Sequence, residues 1–448
     1  MKAPRRHAAW PVWLAALWAC SLAQTAFAGE FEKAYRAALE NDASYQAAKY
    51  GLAVVQEAVP QARSTLLPTV AASISTTAVQ GTLESAGTST SLNYNAPTQS
   101  LTVRAPLLNM EALGRLRQAQ AQVDAAQAQF ASRQADLLDR LTIAYLQRLL
   151  AQDQFDTLHL QVKAVVEQRD LMRKRLERGE GTRTELAEAR ANLGLVTAQW
   201  ADARDQITNT QTALETMVGG KPLELPRLGD SFVPLPLEPA ALEAWQQQAA
   251  SSNPEILAKR RVAAVAEAGV ARSQAGHLPR LDLVASTSSS RNETASTLNQ
   301  SLNQTTVGIQ LNIPLYSGGA VDSAVRQALA EQARADKDLL AEQRQVALEV
   351  SRLYKLIQNG QAKLDAYQET LESSRIALDG TLKGQATGLR TNADVLEAVR
   401  KVSQAQRDLA QARYDHILQR LRLFNKAGMP QEAAALEVDA LLTPRSAR

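Results

Sequence analysis

The chain has 448 residues, 45% of them hydrophobic and only 4% aromatic, with 49 Lys+Arg against 46 Asp+Glu. Lys2, Arg5 and Arg6 carry the only charges before residue 29, so a chain lacking that leader holds 46 residues of each sign. This balance gives no argument for a nucleic-acid partner, and a single cysteine, Cys20, excludes a disulfide framework and thiol chemistry.

Residues 1–28 read as a secretory signal. The positive start is followed by an apolar run from Trp10 to Leu22, and Ala26-Phe27-Ala28 forms a small-x-small cleavage pattern before Gly29. The alternative is a lipoprotein cut before Cys20, but Leu17-Trp18-Ala19-Cys20 puts a bulky Trp where a lipobox prefers a small residue. After residue 28 no apolar run approaches the roughly 18 residues of a membrane helix. An exported chain of this kind is periplasmic, secreted, or embedded as a β-barrel.

The remainder is written twice. The first half, 29–218, opens with a helix from Ala38-Leu39-Glu40-Asn41-Asp42 to Leu67-Pro68, and the second, 240–428, with one from Asn253-Pro254 to Leu278-Pro279. Period-2 alternation then predicts strands at about 69–79 and 98–106, and at about 281–287 and 305–313. The clearest is Val307, Ile309, Leu311 and Ile313 with polar residues between. The Ser/Thr/Asn-rich stretches Gly81 to Thr98 and Ser286 to Thr305 read as loops facing water. Strands of about 10 residues are long enough to cross a bilayer when tilted. Two soluble hairpins packed on helices are the alternative.

Proline is absent for 115 residues after Pro106 and for 115 residues after Pro314. Both stretches are rich in Ala, Leu, Gln, Glu and Arg, so each predicts long helices. Ala119, Ala126, Phe130 and Leu137, and Ala328, Ala335, Leu339 and Val346, keep heptad-like spacing with small residues at the seam. Glycine interrupts both runs, at Gly179 with Gly181 and at Gly388, at a constant offset of 209. Turns are expected at 179–184 and 386–392, where glycine ends a helix, with Thr184-Glu185 and Thr391 as N-cap and first-turn residues of the helices that follow. A linker with five prolines, 219–239, joins the halves, and 429–448 reads as a tail.

Four strands cannot close a barrel alone, since about eight are the practical minimum and open edges are not tolerated in lipid. Membrane-spanning strands here would require several protomers to share one barrel, and three copies would supply twelve strands. Catalytic chemistry has no basis in the residues. His159, His277 and His416 are scattered and read as surface histidines, and no metal-ligand spacing or phosphate loop is present. The chain therefore reads as no enzyme, with no cofactor.

The chain resembles the TolC family of outer-membrane efflux and secretion channels. The resemblance is carried by Phe31 through Asp42, by Gln61-Ala62-Arg63-Ser64-Thr65-Leu66-Leu67-Pro68, by Pro314-Leu315-Tyr316-Ser317-Gly318-Gly319, and above all by Gly388 through Ala398 with Leu409 through Asp415. It implies an α+β membrane protein: a long α-helical coiled-coil barrel plus a four-stranded contribution to a trimeric, 12-stranded transmembrane β-barrel. It also implies a homotrimer in outer-membrane lipid, partnered by a periplasmic adaptor and an inner-membrane ABC or proton-driven transporter. Asp394 and Glu397 match the family's acidic positions at the tunnel constriction, where rings of carboxylates would favour cations and raise one another's pKa. Arg390, Thr184 and Glu185 match residues whose polar links hold the tip closed, and the turns at Gly179, Gly181 and Gly388 match the adaptor-docking tips. Two departures stand out. Gln385 occupies a position where members often carry tyrosine, and no aromatic girdle flanks the strands. The rival function is a periplasmic or surface coiled-coil structural protein without a pore.

Overall fold

The computed structural model describes residues 29–85, 87–220, 225, 228, 232, 234–294 and 297–442. The signal sequence and Cys20 lie outside the described residues. Three helices, α1 (Glu30–Asn41), α2 (Ala43–Gln56) and α3 (Ala58–Ser64), lead into strands β1 (Thr69–Ser85) and β2 (Thr88–Leu108). Helices α4 (Met110–Glu177) and α5 (Arg183–Val218) complete the first half. The second half repeats the order as α6 (Leu242–Ser252), α7 (Pro254–Gln274), β3 (Arg280–Thr294), β4 (Thr297–Asn312), α8 (Ala320–Ala386) and α9 (Asn392–Lys426). A final helix, α10 (Gln431–Leu442), follows. The duplication extends to length: α4 and α8 have 68 and 67 residues, and α5 and α9 have 36 and 35. At about 1.5 Å per residue, α4 alone rises roughly 100 Å. No helix among the described residues is long and apolar enough to cross a membrane.

The chain divides into two compact units. One contains Ala47–Arg133 and Gln246–Glu349 and holds all four strands. They form one antiparallel sheet in the order β1-β2-β3-β4, so β1 and β4 are its edges. The strands run further than the alternation predicts. The segments read as polar loops continue the ladder, with Gly81 opposite Leu92 and Ser290 opposite Leu302. Threonine favours the pleated backbone regardless of apolar alternation, so a strand wetted on one side or both leaves little period-2 signal.

The register sorts the side chains. Val70 faces Val103, Val103 faces Ala285, and Ala285 faces Val307. Ala105, Leu283 and Ile309 extend the same face. The opposite face carries Ser73 against Ser100 and Ser286 against Thr306, with hydroxyl oxygens 2.8 and 2.7 Å apart. Val70, Ile74, Val307, Ile309 and Leu311 are all exposed, which water alone would penalise. In the same unit α4 and α7 approach closely: a Cβ at Gly114 would lie 2.9 Å from the Arg272 Cα.

The other unit comprises residues to Gln46, Gln134–Trp245 and Val350 onward. Its core joins Phe31 and Tyr35 of α1 to Leu137, Leu141 and Tyr145 of α4 and to Ile417 and Leu421 of α9. Within the stretch read as a tail, Gln431–Leu442 is a helix, and its Ala434, Ala435, Val438 and Leu442 belong to this core. Asp439 on α10 accepts the N–H groups of Phe31 and Glu32 at 3.0 Å each, satisfying the start of α1. The single opening helix expected from Ala38 to Pro68 is interrupted at Asp42, whose extended backbone ends α1. Its carboxylate accepts the Tyr45 N–H at 2.8 Å and so caps α2. Burial pushes the Asp42 carboxyl up, but hydrogen bonds from Arg140 and Ser44 outweigh it and hold the group down at about 2.

Candidate functional site

The two turns expected at 179–184 and 386–392 are built alike. After α4, Gly179 adopts φ +74°, its N–H reaches the Leu176 carbonyl, and the Glu180 N–H reaches that of Arg175. After α8, Gly388 adopts φ +79°, with the same pair of bonds from Gly388 to Gln385 and from Leu389 to Gly384. This is the Schellman arrangement, in which the left-handed residue is glycine. Each turn then opens the next helix with a capping box. The Thr182 hydroxyl accepts from the Glu185 N–H while the Glu185 carboxylate accepts from the Thr182 N–H, and Thr391 and Asp394 do the same. The two boxes keep the offset of 209 seen in the sequence.

Gly181 is not left-handed. Its constraint is space: a Cβ there would lie 3.1 Å from the Arg175 Cβ. The repeat inverts this pair. Gly384 occupies the position equivalent to Arg175 and Arg390 that equivalent to Gly181, and a Cβ at Gly384 would lie 2.8 Å from the Arg390 Cγ. Each turn thus fits one long side chain against one glycine, from opposite sides.

Two polar ties run from α4 to the second turn. The Gln168 amide donates to the Asn392 Oδ1 at 2.8 Å, and the Arg175 guanidinium reaches the Gln385 carbonyl at 3.5 Å. Gln168, Asn392 and Gln385 are all buried. The Nδ2 of Asn392 and the Nε2 of Gln385 are buried without a hydrogen-bond partner among the described residues. Apolar contacts surround it: Val165, Val196 and Leu396 form one cluster and Met172, Leu186 and Ala189 another.

These placements correct several sequence expectations. Thr184 is exposed in the first turn of α5, and Thr182 is the N-cap, since T-x-x-E fits 182–185 and gives Glu185 its partner. Among the described residues no hydrogen bond or ion pair joins Arg390 to Thr184 or Glu185 within the chain. Gln385 does contribute to a tie, through its main-chain carbonyl rather than its amide. Sequence reasoning missed Gln168, Arg175 and Asn392; no motif marks them, because each is defined by a neighbour on a distant helix.

Asp394 and Glu397 lie on one face of α9. They line a cleft of about 530 Å³ between α8 and α9 together with Thr381, Arg390 and Lys401. Within one protomer both carboxyls are held below their usual range by their own neighbours. Hydrogen bonds from Thr391 hold the Asp394 carboxyl below its usual range, with the Arg390 charge adding to the effect. Arg400 does the same to Glu397, with its Nε and Nη2 at 2.8 and 2.7 Å from the two carboxylate oxygens.

His416 is likewise not a surface residue. It is 3% exposed, its ring meets Phe232 edge-on, and burial together with the Arg420 charge lowers its pKa to about 4. His159 stacks with Phe155, and His277 is exposed beside Asp322. No cluster of three metal-ligating side chains occurs among the described residues.

Comparison with known proteins places this geometry in context. The model of the outer membrane efflux protein family matches residues 34–220 and 245–428. The chain is 35% identical over 428 residues to the alkaline protease secretion protein AprF of Pseudomonas aeruginosa, covering 94% of this chain and 89% of that protein. It is 34% identical over 418 residues to the proteases secretion protein PrtF of Dickeya chrysanthemi, covering 91% and 90%. Among solved structures, the outer membrane protein VceC of Vibrio cholerae superposes with a TM-score of 0.75 at 19% identity, covering 89% of this chain and 96% of that one.

Proposed function

The chain belongs to the outer membrane efflux protein family, and from that premise we propose that it is the exit duct of a protein-secretion assembly. It is an outer-membrane efflux and secretion channel, with its helices in the periplasm. The working unit is a homotrimer whose shared barrel has twelve strands. Substrate enters from an inner-membrane ABC transporter through a periplasmic adaptor that docks at the turns around Gly179, Gly181 and Gly388. Asp394 and Glu397 line the constriction, and the tip opens when its polar ties part. Secreted protein is favoured over small drugs as cargo because two relatives matched along most of their length bear protease-secretion names.

The observation that carries the channel reading is the sheet. It has four strands, two open edges, one apolar face and one hydroxyl-lined face. Open edges in lipid must be paired by other copies, and apolar-out with polar-in is the pattern of a barrel wall around a wet lumen. Fractionation tests the assembly. The protein should stay with the outer membrane through high-salt washing and cross-link to a trimer. Release by salt as a monomer would support the pore-free coiled-coil reading instead.

A further inference from the structure

The carboxylates assigned above to the constriction are not alone on their helix. Asp394, Glu397 and Lys401 are spaced three and four residues apart, which puts them on one face of α9, and Arg390, in the turn before the helix, lines the same cleft beside α8. Along that cleft the charge runs positive, negative, negative, positive. Arg400 lies at the edge of the helix face, clamping both oxygens of Glu397, and the Lys401 Nζ stands 4.0 Å from the same carboxylate. Three cations therefore accompany two carboxylates in each protomer.

Exposed pairs like these add little to stability, but their effect on a passing ion does not depend on that. At physiological ionic strength charges are screened over about 8 Å. The Arg400–Glu397 contact of 2.7 Å is far shorter. An ion in the lumen meets paired charges whose fields largely cancel, not a bare ring of carboxylates.

Resting on the reading of Asp394 and Glu397 as constriction residues, we propose that Arg400 and Lys401 are specificity-determining counter-charges that strip the constriction of its preference for cations. The opening then passes groups of either sign. That property suits an extended polypeptide carrying both signs better than a cationic small molecule, for which an uncompensated acidic ring would serve.

Reversal potentials in asymmetric KCl across planar bilayers test this. The wild-type trimer should give a potassium-to-chloride permeability ratio near unity. Arg400→Gln with Lys401→Gln should raise that ratio severalfold. Arg400→Lys should leave it near unity, because charge rather than the bidentate geometry is what matters. Asp394→Asn with Glu397→Gln should drive the ratio below unity, toward chloride. A strongly cation-selective wild type, or a ratio unmoved by the Arg400/Lys401 pair while the carboxylate pair shifts it, overturns the counter-charge proposal alone. A ratio unmoved by either pair overturns the constriction reading and the proposal with it. Trimers that remain intact on gels in every variant exclude misfolding as the cause.

Discussion

Asn392→Ala should open the tip: bilayer conductance and open probability should both rise above wild type. Asn392 is 2% exposed and Gln168 is 6% exposed, and their 2.8 Å bond joins α9 to α4 beside Val165 and Leu396. Truncating Asn392 leaves the Gln168 amide buried without its acceptor. Stranding a buried polar group costs about 1–3 kcal/mol, a roughly five- to hundredfold shift in any equilibrium that depends on the tie. The Asn392 Nδ2 has no partner among the described residues, so the bond to Gln168 is the one link its amide makes among them. The paired change Gln168→Leu with Asn392→Leu removes donor and acceptor together, which is close to neutral when shape is kept. It should close the tip again. Conductance unchanged by Asn392→Ala, or a double variant as open as the single, would show that this tie does not hold the tip.

The largest loss of stability is expected from Phe31→Ala. Phe31 is fully buried, meets Tyr145 edge-to-face at 5.1 Å, and its N–H is held by Asp439. Removing such a ring and leaving a cavity costs about 3–5 kcal/mol. It would loosen α1 against α4, while the backbone bonds from Phe31 and Glu32 to Asp439 remain. Thermal unfolding in detergent should show a drop of several degrees or more in the melting temperature. Tyr145→Phe is the matched control. Its hydroxyl is buried without a hydrogen-bond partner among the described residues, so its loss should leave stability unchanged or slightly improved. Equal melting temperatures for Phe31→Ala and wild type would remove this contact from the core.

Much of this architecture was legible in the sequence because it rests on local rules written twice. The absence of proline set the long helices, and Gly179 and Gly388 marked their ends through the one backbone conformation that glycine adopts cheaply. The hidden parts depend on partners the local pattern does not name. The polar ends of β1 to β4 look like loops because wetted threonines and serines carry no apolar alternation, and only the neighbouring strand shows that they pair. The last helix looked like a tail because Ala434, Ala435 and Val438 become a core face only against α1 and α9. The candidate site divides the same way. Asp394 and Glu397 are marked by the family resemblance, and their spacing of three puts them on one helix face. The Glu397–Arg400 clamp was equally readable as an i,i+3 pair, yet a resemblance that highlights carboxylates draws attention away from it. Gln168, Arg175 and Asn392 act only across the tip.

The central claim is that this chain forms an outer-membrane channel gated at its turns. Single-channel recording of the purified protein in planar bilayers addresses it most directly. The account predicts one-sided insertion as a trimer, discrete conductance steps, a small wild-type conductance, and a larger one for Asn392→Ala. A purified, folded trimer that inserts yet carries no current in either form would contradict it.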